Sequence, residues 1–195
     1  MEKAASTLKK EILIRHMTNT GIRKITFAGV TAALYAALTI ASSPIAYGAI
    51  QFRISEVLCI LPFFFPFTVP GLFVGCIIAN LFSPYGILDL AVGSAATLAA
   101  ALVTMKLGKA AGDRIVIKAL ACFPPVIFNA LMIGAVIAWS TVGAGDPFLP
   151  AFAINGLRVG FGEFIIMYVL GLPLMVYLPK TNIYTFLTKQ YGGAI

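Results

Sequence analysis

The chain has 195 residues, 60% of them hydrophobic and only 11% charged, with a formal net charge of +7 and a mean hydropathy of +0.97. A water-soluble domain of this size carries far more polar surface, so lipid is the solvent for most of this protein, which reads as an all-α integral membrane protein. At about 20 apolar residues per span the length holds five or six helices and leaves no room for a soluble catalytic domain.

Residues 1–22 are polar and basic, and no small-residue cleavage site follows an early apolar core. They are expected to form a cytoplasmic tail or an amphipathic surface helix (LKKEILIRHM) rather than a secretory signal. Apolar segments follow at about 24–45, 55–66, 67–83, 86–107, 115–140 and 155–178. The first, fourth, fifth and sixth are long enough to cross a hydrocarbon core of roughly 30 Å. Pro62, Pro66, Pro70 and Gly71 interrupt the 55–83 region, which is either one long helix or two short ones, the latter as full spans or as a re-entrant hairpin.

Charge chooses between these. Basic residues cluster in the N-terminal region (Lys3, Lys9, Lys10, Arg15, Arg23, Lys24), near 106–118 (Lys106, Lys109, Arg114, Lys118) and at the C-terminus (Lys180, Lys189). All three clusters fall on the cytoplasmic side only if 55–83 folds back on itself. The expected architecture is therefore six transmembrane helices over 23–180, a C-terminal tail over 181–195, and both termini in the cytoplasm of a cell bearing the protein in its plasma membrane. The basic excess is then a topology signal and not a nucleic-acid footprint.

Two cations, Arg53 and Arg158, are left over, both on the outer side of this arrangement. An ionisable group deep in a bilayer costs on the order of 3 kcal/mol and persists where it pairs, lines a cavity or binds something. In IQFRISEVL the polar residues Gln51, Arg53 and Glu56 crowd together; Asp89 opens the fourth span; Arg158 and Glu163 open the sixth; Asn129 lies within the fifth. These residues, with Tyr47 as an aromatic neighbour, converge at one depth and form the candidate substrate site. Blander readings stand beside this one. Ser55 caps the second helix with Glu56 in its first turn; Asp89 does the same for the fourth; Arg53–Glu56 and Arg158–Glu163 are internal ion pairs; Asn80 and Asn129 tie helices together. Trp139 and Tyr85 suit an interfacial aromatic belt.

The three cysteines, Cys59, Cys76 and Cys122, lie in apolar runs without a CxxC, and the one histidine, His16, lies in the basic N-terminal region. No metal site, cofactor or catalytic constellation is expected, and the chain is read as a non-enzyme. No GxxxxGK[ST] loop is present, so uphill transport needs energy from elsewhere. The first span carries two rows of small residues four apart, Ala28, Ala32 and Ala36 beside Gly29, Ala33, Ala37 and Ala41. Such rows permit close helix contact, either inside the chain or with another membrane protein.

IQFRISEVL together with PFFFPFTVPGLFVGCIIANLFSPYGILDLAVGSAATLAA resembles the queuosine-precursor transporter (QueT) family over roughly residues 22–180. These are substrate-binding S components of energy-coupling factor (ECF) transporters. The resemblance implies an S-component-like bundle that captures a nucleobase-like precursor of the 7-deazaguanine type outside. It also implies coupling to a transmembrane subunit and, through it, to two cytoplasmic ATPases. The AxxxA face of the first helix (Ala28, Ala32 and Ala36, or Ala33 and Ala37) would meet that subunit. The alternatives are an S component for another vitamin-like substrate and a self-sufficient secondary transporter.

Overall fold

The computed structural model describes residues 2–48, 50–111, 114–143 and 146–191, with side chains from 20 onward apart from those of 110 and 111. Every regular element among them is helical. Helix α1 runs unbroken over Glu2–Ala41, a length of 40 residues, and its Thr20–Ala41 part is apolar enough to cross a membrane. The N-terminal segment expected as a separate tail or surface helix is thus continuous with the first span. The remaining helices are α2 (Ile54–Phe64), α3 (Pro66–Asn80), α4 (Gly86–Lys109), α5 (Ile115–Thr141), α6 (Phe148–Lys180) and α7 (Asn182–Tyr191).

Of the six apolar segments, α1, α4, α5 and α6 have spanning length, whereas α2 and α3 fall in the range of 10–17 residues. The break between those two follows from Pro66. The residue before a proline is pushed out of the helical region, and Phe65 duly sits at φ −132°, ψ 84°. Helix α6 begins at Phe148, seven residues before the apolar segment placed there from sequence, because FLPAFAI continues the helix behind Pro147. Two helices widen locally into π-turns, α4 at Asp89–Gly93 and α6 at Ile166–Gly171.

Glycines set the directions of packing. A Cβ on Gly71 would stand 2.3 Å from the Ala28 carbonyl, and one on Gly75 2.7 Å from that of Ala32. Helices α1 and α3 therefore run parallel in backbone contact. Glu56 lies beside Thr97 and the Phe63 carbonyl beside Gly108, so α2 and α4 are also parallel. Helices α5 and α6 are antiparallel: Gly134 faces Gly156 and Cys122 meets Met175. The six helices α1 to α6 thus alternate in direction, with α2 and α3 as a hairpin whose tip is Phe65.

That tip lies in an aromatic base. Phe63, Phe64 and Phe65 are buried with Ile60, Ala121, Cys122, Met167 and Met175, and Tyr184 and Leu187 of α7 pack on them. The Tyr191 ring comes within 5.4 Å of Phe27. The segment expected as a C-terminal tail is therefore a helix folded under the bundle, at the end where α1 enters its apolar part. The Lys24 ammonium sits 5.7 Å from the Phe67 ring at the same end, and the ends of α4, α5 and α6 bring Lys106, Lys118 and Lys180 to it. At 1.5 Å per residue, Tyr35, Thr97 and Asn129 stand roughly 14–17 Å above this basic level, and Glu163 is hydrogen-bonded to Asn129. The polar layer described next occupies the middle and far half of the bundle.

Candidate functional site

Helix α1 ends at Ala41, and the short turn Ser43–Ala46 follows with Pro44 in its first positions. The Phe52 N–H donates to the Ile45 carbonyl at 3.0 Å, folding the strand-like 51–53 segment back over the bundle. Arg53, extended at φ −84°, ψ 91°, directs its side chain inward, where it is 1% exposed. Its Nη2 donates to Asp89 Oδ2 at 3.0 Å. Ser83 donates to the same oxygen, and Asn80 Nδ2 donates to the Asp89 carbonyl at 3.0 Å. Beneath the guanidinium lies the Tyr47 ring, 5.3 Å away, a cation–π contact. The Tyr47 hydroxyl donates to the Ala79 carbonyl at 2.7 Å. Burial pushes this phenol above its ordinary pKa, so it stays a donor at neutral pH.

The local ion pairs considered from sequence are not the ones formed. Arg53 pairs with Asp89, 36 positions away, and not with Glu56. Ser55 makes no cap hydrogen bond; its hydroxyl shares a 2.6 Å hydrogen bond with Thr39 of α1. Asp89, likewise, serves as an ion-pair partner rather than as a helix cap. Glu56 faces three donors: the Tyr35 hydroxyl, Thr97 at 3.3 Å and the Cys59 thiol at 3.0 Å. That arrangement ties the carboxyl group into the helix framework.

Glu163 is held differently. It is 1% exposed, and its Oε1 accepts a single hydrogen bond, from Asn129 Nδ2 at 3.2 Å. Close backbone approach builds its surroundings. A Cβ on Gly162 would lie 2.4 Å from the Gln51 carbonyl, and one on Gly93 would lie 2.6 Å from Asp89 Oδ1 and 2.8 Å from Asn80 Nδ2. Glycine is the residue that fits at both points.

Buried polar atoms in native proteins are almost always partnered. In this layer several have no hydrogen-bond partner: Gln51 Nε2, Arg53 Nε and Nη1, Asn80 Oδ1, Asp89 Oδ1, Ser94 Oγ, Asn129 Oδ1 and Glu163 Oε2. Tyr85 stands beside the Gln51 amide without giving its nitrogen an acceptor in hydrogen-bond geometry. Three donor atoms and four acceptor atoms, with one hydroxyl that can act as either, thus remain open around Arg53, Asn129 and Glu163. A small ligand with both a donor edge and an acceptor could engage them.

Seven of the eight sequence candidates, Tyr47, Gln51, Arg53, Glu56, Asp89, Asn129 and Glu163, are therefore buried or half-buried in one layer. Arg158 is not part of it. Five residues before Glu163, it projects roughly 140° around the helix, and it is exposed. Trp139 and Phe161 are 72% and 56% exposed, which removes them from a ligand lid. Sequence reasoning missed Tyr35, Thr39, Ser94 and Thr97, all in or beside this layer. A signal existed for the first two: Thr31, Tyr35 and Thr39 recur every four residues, a polar stripe on an otherwise alanine-rich helix, and all three are buried. The cysteines are free and buried.

The small-residue rows of α1 separate. Ala32 and Ala36 are buried, and the Ala28–Ala32 stretch contacts Gly71 and Gly75 of α3. Gly29, Ala33, Ala37 and Ala41 are exposed. A groove of about 430 Å³ lies between Ala28, Gly29 and Ala32 on one side and Pro70, Gly71 and Val74 on the other, with Lys24 and Phe67 at one end. Its lining is almost wholly apolar, so it suits lipid or another helix and not a polar solute.

No match to the chain is found among curated proteins or among solved structures. Four helices of spanning length make it a multi-pass membrane protein by length and composition, and a recognised family covers them. The family model described as QueT transporter matches residues 25–180, most of the chain, and the protein belongs to the QueT transporter family.

Proposed function

We propose that this transporter is the substrate-capture (S) subunit of an ECF-type importer and that it binds a queuosine precursor of the 7-deazaguanine type in the buried polar layer. The observation carrying this reading is the set of orphaned polar atoms around Arg53, Asn129 and Glu163, in a chain that belongs to the QueT transporter family. A 7-deazaguanine presents a ring N–H and an exocyclic amine along one edge and a carbonyl oxygen beside them. Asn129 Oδ1 and Asn80 Oδ1 would accept from the donor edge, and Gln51 Nε2 or the free nitrogens of Arg53 would donate to the carbonyl, with Glu163 Oε2 open beside them. Tyr47 and Tyr85, both partly buried, supply faces for the flat ring.

In this reading the basic end of the bundle faces the cytoplasm and the polar layer lies toward the outside of the plasma membrane. Its side chains are closed over, so the 51–53 segment must move aside to admit ligand. Energy comes from a transmembrane coupling subunit and two cytoplasmic ATPases. The exposed Gly29, Ala33 and Ala37 row, next to the apolar groove, is the face offered to that subunit, since Ala32 and Ala36 are engaged within the chain. No catalytic role is assigned.

The direct test is mass spectrometry of small molecules released from the purified protein, followed by calorimetry with the compound found. A bound 7-deazaguanine supports the reading. A different vitamin-like compound would reassign the substrate and keep the S-component role. Uptake by the chain alone in sealed vesicles, without ATPases, would replace that role with secondary transport.

A further inference from the structure

We infer that Glu163 is a proton-exchanging cation site within the binding pocket, so that the protein captures a planar ligand bearing an ammonium group in exchange for one proton. The inference rests on the binding site proposed above and adds a charge rule to it.

The argument is a count of charges and donors in a closed space. The layer holds one cation, Arg53, and three carboxyl groups, Glu56, Asp89 and Glu163, all 0–1% exposed. Arg53 and Asp89 neutralise each other. Glu56 has donors from three elements, Tyr35 of α1, Thr97 of α4 and Cys59 of α2, so its oxygens are engaged within the chain. Glu163 has one amide donor on Oε1 and none on Oε2. The titratable and charged groups that face it are Glu56 and Cys59 from α2 and Arg53 from the 51–53 segment. From α5 it meets the neutral Asn129. The only cation in that list is already matched by Asp89. An ionised Glu163 would therefore place an uncompensated negative charge in a buried layer, with a second carboxyl group, Glu56, as its neighbour.

Two species can relieve this, a proton on Glu163 Oε2 or a cation delivered by the ligand. Without ligand the proton is there. A ligand entering with its own ammonium group supplies the positive charge, Glu163 ionises beside it, and the proton leaves to solvent. Charge balances: one cation enters the layer and one proton departs. A neutral ligand of the same planar shape offers no such compensation, so Glu163 keeps its proton and serves as a neutral hydrogen-bonding group.

The proposal is tested by isothermal titration calorimetry on the full chain in lipid nanodiscs near pH 6.5, in two buffers of different ionisation enthalpy. The probes are 7-aminomethyl-7-deazaguanine, a cation, and its neutral 7-cyano analogue. The expected result is release of about one proton per cation bound and none for the nitrile. The affinity for the cation should rise up to tenfold per pH unit, since a released proton makes binding favourable as pH increases, and that for the nitrile should be flat. Glu163→Gln should abolish the proton release, flatten the pH dependence of cation binding and weaken the cation at least tenfold. The wild-type pH series stands without the variant should that fold poorly. Binding of both compounds without proton exchange, or equal release in Glu163→Gln, overturns this inference and leaves the proposed site intact. Binding of neither compound overturns both.

Discussion

The two ends of the bundle are built on opposite terms. At the base, Phe63, Phe64 and Phe65 from the α2–α3 hairpin pack with Ile60, Ala121, Cys122, Met167 and Met175. Thr104 and Tyr168, the polar side chains there, each donate to a backbone carbonyl, those of Ala121 and Ala119. In the polar layer, buried side chains come from six helices and one loop, and several of their atoms are left open. The base is held mainly by apolar packing and serves stability, with Gln190 Oε1 its one open atom among the described residues. In the proposed function, the complement of the layer's open atoms comes from a ligand.

If this contrast is right, substitutions at the two ends should fail differently. The largest effect is expected from Arg53→Ala, which leaves Asp89 as an uncompensated buried charge; losing one partner of such a pair costs about 3–5 kcal/mol. Thermal unfolding in detergent should show a large drop in midpoint, and ligand binding should vanish with it. Phe64→Ala, at the base, should cost about as much, ~3–5 kcal/mol, but the folded fraction should bind ligand with unchanged affinity. Reduced affinity in that fraction would mean that the two regions are not separable.

A smaller structural cost is expected for Gly71→Ala. Its new methyl group would sit 2.3 Å from the Ala28 carbonyl and force α1 and α3 apart, at a cost of about 1–3 kcal/mol. Thermal unfolding measures it, and an unchanged midpoint would show that the α1–α3 contact yields easily. Glu163→Gln is expected to change stability least, because the amide is isosteric and the site supplies only one hydrogen bond to the carboxylate. It should still weaken a guanine-like ligand by tenfold or more, read by calorimetry. Ala33→Leu with Ala37→Leu is expected to alter neither stability nor binding, since both positions are exposed. Co-purification with a transmembrane coupling subunit is the measurement that would reveal an effect.

The candidate layer was largely legible because charges are scarce here. In a chain this apolar, Arg53, Glu56, Asp89 and Glu163 stand out before any helix is drawn. Their pairing was not legible. Arg53 and Glu56 are three apart and look like partners, yet the π-turn at Asp89–Gly93 and the Gly93 gap carry Asp89 to the guanidinium instead. Arg158 was grouped with Glu163 by proximity along the chain, and helical rotation separates them. Tyr35 and Thr97 carry no charge and so gave no alarm, although they hold Glu56 in place. The alternation of direction and the shortness of α2 and α3 were readable from basic clusters and prolines, whereas the choice between two full spans and a re-entrant hairpin was not.

Composition by itself determined that the protein lives in lipid, that its helices must satisfy their own backbones, and that its few ionisable groups need a reason to be there. Those conclusions need only transfer energies, which are additive along a chain. Which carboxylate is tied down and which is open, and which alanine row is covered, was decided only when α1, α3, α4 and α6 came together. Hydrogen bonds and steric fit act over a few ångströms between residues far apart in sequence, and no one-dimensional pattern encodes them.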